Sequence, residues 1–304
     1  MTLALEQTLN GIQFGVMLFL LAAGLTLVFG VMRIINLAHG SFYMIGAYAA
    51  ALAGERTGSF AIAALAGLAA AGLAGLIIEY VVVRRLYARD YVQQVLATFG
   101  VILLVNEGVV MLFGRQPLYL PMPPSLSGSV QIIPGVPYPA YRLIIIAAGL
   151  LVALALSLLI NRTRIGMLVR AGSTHREMVR ALGVNIRLLY TFVFGFGALL
   201  AGLGGLLAAP LLAVEVGMGE QILILTFVVV VIGGVGSVRG AFAGAMLVGV
   251  TDTLLHAFLP TLLHRMMTAS DADALGAGLS SMGIYLVMAL VLLIRPQGLV
   301  RASG

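Results

Sequence analysis

The sequence predicts an all-α fold, a polytopic transmembrane helical bundle of eight to nine spans with one short helix in a cytoplasmic loop. Three observations predict it. Of 304 residues, 61% are hydrophobic and 9% charged, against roughly 25% charged in soluble domains, so the surface cannot be coated for water. The apolar residues form continuous runs such as Leu143 to Leu159, not the period-2 segments of about 10 residues that mark transmembrane strands. Glycine fills 38 positions, which suits helices whose backbones approach closely in lipid. Disordered, fibrous and disulfide-stapled classes are excluded, and the absence of cysteine removes thiolate metal sites and cysteine nucleophiles.

A bilayer core of about 30 Å needs about 20 apolar residues per helix. Candidate spans fall at 9–30, 34–53, 60–83, 92–114, 141–160, 189–213, 221–238, 241–259 and 276–294. The chain, 1–304, reads as a single transmembrane domain. The first run lacks a basic n-region and is longer than a signal peptide's apolar stretch, so it is expected to be retained. The weakest span is 34–53, which opens on the polar, small stretch Asn36-Leu37-Ala38-His39-Gly40-Ser41 and is expected to be unwound there. All 17 basic residues are arginine and lie at span edges. They are therefore topology signals, and the net charge of +6 implies no nucleic-acid partner. With the C-terminus cytoplasmic, 13 arginines fall inside and Arg56, Arg115, Arg142 and Arg265 outside; the positive-inside rule then places the N-terminus outside.

Two loops stand out. The extracytoplasmic segment 115–140 holds seven of the ten prolines, which predicts an extended, hydrogen-bond-poor lid, either a plain loop or a docking surface. In the cytoplasmic loop 161–188, Thr174 and Glu177 have capping-box spacing, and Gly183 supplies a left-handed helix stop. Between them Met178, Ala181 and Leu182 form an apolar stripe at i, i+3 and i+4. So short a helix needs something to pack on. Two supports are open: membrane lipid, with Arg170, Arg176, Arg180 and Arg187 attracted to anionic headgroups, or the groove of a cytoplasmic protein.

Within the spans, Gly11 and Gly15, and Gly236, Gly240 and Gly244, recur at four-residue spacing and read as helix-packing positions. Asn106, Glu107 and Asp252 are the deepest polar groups; a charge near a helix centre is costly and faces a cavity or a partner. They are candidates for a translocation path or a subunit contact, or else structural pairs, as Asp252 with His256 at i, i+4. Glu79 lies near an inner boundary and is expected to reach water. Asn36 and His39 must bond freed amides or line water where the second span is broken. His256 and His264 have no third ligand near in sequence, so no metal site is read.

The run Glu177 to Gly183 resembles the loop by which ABC importer permeases contact their ATPases, with Met178 and Val179 where two alanines are usual. More specifically, Gly24-Leu25-Thr26-Leu27-Val28-Phe29-Gly30 continuing to Tyr48 is similar to the signature of branched-chain amino acid ABC importer permeases, the H-type subunit of the Liv system. Ala181 to Asn185, Ala201 to Gly205, Gly233 to Ser237 and Arg295 to Leu299 follow in the family's order. The resemblance implies a permease subunit, not an enzyme, that passes branched-chain amino acids or a related small polar solute through a bacterial inner membrane. It further implies a second homologous permease, two cytoplasmic ATPases and an extracytoplasmic solute-binding protein. Without lysine no phosphate loop is possible, so ATP and Mg are expected on the ATPases and no cofactor on this chain. Thr174, Glu177, Met178, Arg180, Ala181, Leu182, Gly183 and Asn185 are then the ATPase-coupling residues. The competing class is an ion-coupled secondary transporter, which gives the striped inside helix no use.

Overall fold

A computed structural model describes residues 2–133, 136–174, 176–265 and 267–300. Eleven α-helices follow one another among them: α1 (Thr2–Met32), α2 (His39–Thr57), α3 (Phe60–Val81), α4 (Tyr91–Phe113), α5 (Ala140–Arg162), α6 (Arg164–Thr174), α7 (Arg176–Ala181), α8 (Ile186–Ala208), α9 (Met218–Gly233), α10 (Val238–Leu263) and α11 (Ala269–Ile294). Seven of these, all but α2, α6, α7 and α9, are long and apolar enough to cross a membrane. The protein is an all-α polytopic bundle. Leu104, Met111 and Leu293 point outward at 76%, 83% and 84% exposure, which only a hydrocarbon surrounding makes favourable.

Starts are fixed by side-chain caps. Ser59, Asp90, Asn185 and Ser237 accept from the backbone N–H three residues on and open α3, α4, α8 and α10. The core is α1, wrapped by α10, α8, α5 and α9. Most of the apolar stretches of α1 and α8 are buried, 83% and 72%, against 17–28% for the other five long helices. Glycine sets the distances. A Cβ on Gly11 would come 2.7 Å from Val250 Cα, one on Gly46 2.6 Å from Gly202 Cα, and one on Gly205 2.0 Å from the Tyr43 carbonyl oxygen. Gly240 and Gly244 bring α10 onto α9 in the same way, at 2.1 Å from Gly233 O and 2.6 Å from Val229 O, while Gly236 forms the turn between them at φ +85°.

One expectation is corrected here and another is met. The segment 115–140 is not hydrogen-bond-poor: β1 (Ser129–Ile133) and β2 (Val136–Pro139) pair antiparallel, Val130 opposite Tyr138, with a bulge between Gln131 and Ile133. A two-stranded ribbon is all edge, so Pro137 and Pro139 can stand where no ladder donor is needed. Leu118 also exchanges both backbone bonds with Val214 at 2.9 Å. The second span opens as expected: the polar run from Asn36 is not helical, and α2 begins at His39.

Candidate functional site

The break between α1 and α2 is the most constrained polar feature of the bundle. Arg33 closes α1 in the left-handed region, φ +54°, as the one non-glycine residue there among the described residues. The next residues, 34–36, are in no regular element and Leu37–Ala38 form a turn. Asn36 Oδ1 accepts from Ala38 N at 3.1 Å, Ile35 N donates to Gln94 Oε1 at 3.2 Å, and Leu37 N donates to Thr98 Oγ1 at 3.2 Å. The fit is geometric. Gln94 and Thr98 stand about 6 Å apart along α4, so acceptors at i and i+4 on that helix meet alternate amides of the break. Gln94 is fixed in turn by donating to Arg89 O at 3.0 Å. Its removal leaves the part-buried Ile35 N–H without an acceptor, which costs about 1 kcal/mol or more. Gln94→Leu and Thr98→Val are each expected to lower the thermal midpoint in detergent by several degrees, and Thr98→Ser to keep it; equal midpoints in all three would contradict this account.

His39 is wholly buried, its Nε2 3.1 Å from Leu21 O, so that nitrogen carries the proton. Nδ1, like Asn36 Nδ2, has no partner. Gly24 makes the room, since a Cβ there would lie 3.0 Å from His39 Cε1. Leu21 lies eleven residues before the end of α1, about 16 Å along its axis. Helix α2 therefore begins deep in the bundle. Its start touches that of α9, a Cβ on Gly40 falling 2.1 Å from Gly219 O, and the adjoining Glu220 accepts from Asn106 Nδ2.

The predicted polar residues thus divide. Asn36 and His39 lie together at the break, with Asn106 tied to Glu220 beside it. Glu107 is exposed on α4. Asp252 pairs with His256 at 3.5 Å on its own helix, where Ser281 of α11 lies 3.5 Å from the imidazole. Gln94, Thr98 and Glu220 were not singled out from the sequence. Gln94 and Thr98 are polar residues at i, i+4 in an apolar run, a signal in itself.

Glu79 does not reach water: it is wholly buried. Its carboxylate accepts from Arg84 Nε at 3.3 Å and Nη2 at 3.0 Å, from Thr191 Oγ1 at 2.9 Å, and from the Tyr87 hydroxyl. The Tyr87 phenol is pushed up by burial and by this bond, and the carboxylate's hydrogen bond raises the Arg84 guanidinium above its ordinary value. The cluster ties the end of α3 to the start of α8.

That start follows the loop with α6 and α7. Helix α6, which sequence reading missed, is joined to the end of α1 by Arg33 Nη2 donating to Ser173 O at 3.4 Å. Of the capping box, His175 and the side chains of Thr174 and Glu177 lie outside the described residues. Met178, Ala181, Leu182 and Arg180 are exposed while Val179 is buried. Gly183 has φ +84°, and Asn185 accepts from Leu188 N at 3.1 Å. Two cavities adjoin Arg33. One of about 450 Å³ includes Tyr87, Asp90, Gln94 and Tyr190; the other, about 950 Å³, runs between α1, α5 and α10.

A bundle with a helix broken at depth, polar groups inside it and an apolar exterior is a membrane transport protein in class. The chain belongs to the family of branched-chain amino acid transport system permease components, whose model matches residues 7–294. It is therefore a permease component, not an enzyme. It is 29% identical to the high-affinity branched-chain amino acid transport system permease protein BraD of Pseudomonas aeruginosa, over 97% of this chain and 95% of that one. It is 26% identical to LivH of Escherichia coli K12, over 97% and 94%, and 27% identical to LivH of Salmonella typhimurium, over the same shares. No solved structure matches the chain significantly.

Proposed function

We propose that the chain is the permease subunit of an ATP-driven importer in the bacterial inner membrane, forming the path for branched-chain amino acids or a related small polar solute. The observation that carries this reading is α7. In a chain of this family without a phosphate loop, Met178 stands 63% exposed on a six-residue helix and Leu182 78% exposed just after it, before a left-handed glycine. An apolar stripe so presented suits a groove on a partner. The partners are two ATPases carrying ATP and Mg, a second permease, and a binding protein docking on 115–140. Closure of the ATPases moves α7, the spans repack, and solute is released inward. The residues from Thr174 to Gly183 form the contact, and Asn185 holds the angle at which α8 leaves it.

The arginine distribution supports an outside N-terminus and an inside C-terminus, with nine crossings. Helix α9, about 24 Å long by its 16 residues, and α2 are the short ones. Asn36, His39 and Asn106 line or gate the path; Glu107 and Asp252 face other subunits.

Purification from native membranes in mild detergent, followed by mass spectrometry, tests the assembly. Two ATPases and a second permease are expected; a homo-oligomer without ATPase would overturn the reading in favour of an ion-coupled secondary transporter. Gly183→Val tests the helix. An added Cβ meets nothing within 4 Å, so the cost is backbone strain at positive φ, of order 1–3 kcal/mol. ATP-driven uptake is expected to fall at least ~10-fold with membrane insertion unchanged; unchanged uptake would remove α7 from the coupling role.

A further inference from the structure

The cavity of about 950 Å³ has an uneven lining. Its mouth carries Arg33, Arg170 and Arg239, and no acidic residue lines any part of it. Further in the walls are Leu27, Ala153, Val169 and Phe19, and Phe242 packs edge to face on Phe19 at 5.2 Å, closing the deep end. From Phe19 to Arg33 is fourteen residues, about 21 Å along α1, which exceeds the half-thickness of a bilayer core, about 15 Å. The charges are confined to one end. Ser157, Asn161, Ser173 and Ser237 line it together with the arginines, and Phe19, Leu27, Ala153 and Phe242 make an apolar wall.

Four further observations point to an occupant. Arg33, strained at φ +54°, faces the cavity, and such strain persists where the surroundings hold it for a purpose. Among the described residues neither Arg33 nor Arg239 has a carboxylate within ion-pair distance; Asp90 lines the adjoining cavity and is engaged in capping α4. Thr26, 1% exposed, lines the cavity with its hydroxyl unpartnered, about 10 Å below Arg33. Finally, α5 and α10, which both line the cavity, barely touch each other.

We propose that this cavity is a binding site for one anionic phospholipid from the leaflet at the Arg33 end. Its phosphate pairs with Arg33 and Arg239, Arg170 adding charge beside its own bond to the Ile160 carbonyl. An ester carbonyl below the phosphate accepts from Thr26, and an acyl chain fills the shaft as far as Phe19. Each part of the ligand answers one part of the wall: anion to guanidinium, acceptor to orphan hydroxyl, hydrocarbon to leucine and phenylalanine.

The test uses the purified, delipidated full chain and its thermal midpoint. Mixed micelles containing phosphatidylglycerol are expected to raise the midpoint by about 3 °C or more over phosphatidylcholine, and inorganic phosphate to leave it unchanged. Arg33→Gln/Arg239→Gln removes the increment, measured against the variant's own phosphatidylcholine midpoint because Arg33 also joins α6 to α1, and so does Ala153→Phe, which fills the shaft and spares the arginines. Equal midpoints in the two lipids would overturn the site. So would phosphate alone reproducing the increment, since the arginines would then collect a bare anion. Native mass spectrometry of the unmodified chain keeps the test independent of the variants' folding: one retained phosphatidylglycerol is expected, and none after mild delipidation in its presence would refute the proposal.

Discussion

Gly205→Ala is expected to lower the stability of the purified protein by about 3 kcal/mol, at the upper end of ordinary overpacking, and Gly205→Val to leave no folded protein after extraction. The new Cβ would lie 2.0 Å from the Tyr43 carbonyl oxygen and 3.2 Å from Ala47 N. Both are backbone atoms, so no rotamer change relieves the clash, and α2 and α8 must separate. Separation also opens the Gly46 to Gly202 contact of the same pair, where a Cβ would stand 2.6 Å from backbone. The two costs arrive together because one rigid crossing contains both glycines. Gly100→Ala is the control. It lies in the body of α4 with nothing within 4 Å, so the same substitution there gains about 0.5–1 kcal/mol from lost backbone freedom. Thermal melts followed by size-exclusion chromatography measure both; similar midpoints for Gly205→Ala and Gly100→Ala would mean that α2 and α8 do not cross as described.

These two glycines look alike in the sequence, and the difference between them shows what was legible there and what was not. Each apolar run predicted a helix, because twenty apolar residues in lipid have no other way to satisfy their backbone. The glycine spacing predicted that helices approach closely, and Gly240 and Gly244 lie against α9. Which glycine meets which backbone depends on crossing angles that no local pattern encodes. The broken start of the second span was visible as a run of small and polar residues. Its acceptors were not, because Gln94 and Thr98 stand about sixty positions away on a helix that otherwise reads as apolar. Helix α6 was missed for a different reason: with Arg164 and Arg170 among eleven residues it resembles a loop until one side of it is laid on α1 and α5. In the proline-rich segment, the missing donors of proline argued against pairing, and a two-stranded ribbon needs so few donors that it forms anyway. Of the proposed coupling surface, Met178 and Leu182 could be read as a stripe, while their freedom from the bundle required the fold.

Glu79 and Arg84 give the other large effect, and its sign is asymmetric. Arg84→Met is expected to lower the thermal midpoint by on the order of 10 °C, and Glu79→Gln by less than about 4 °C. Glu79 is wholly buried whereas Arg84 keeps 30% of its side chain exposed. Without Arg84, a carboxylate stays in the helix layer with only Thr191 and Tyr87 to bond it, and it must be protonated or expelled. Without the charge at Glu79, the guanidinium can turn toward water along its apolar stem, resting over the Tyr80 ring that it already contacts at 4.6 Å. A glutamine oxygen still accepts from Tyr87, whose ring packs edge to face on Tyr190 at 5.1 Å and so does not move. The double variant Glu79→Gln/Arg84→Met is therefore expected to melt above Arg84→Met alone, a coupling that a merely crowded site would not produce. The cluster also joins α3 to the part of α8 that follows Gly183 and Asn185. If α7 is pulled by a partner, the displacement passes into α8 and reaches α3 through Thr191 and this carboxylate. Glu79→Gln is then expected to retain ATP hydrolysis while transporting less solute per ATP; an unchanged ratio would confine the cluster to holding the helices together.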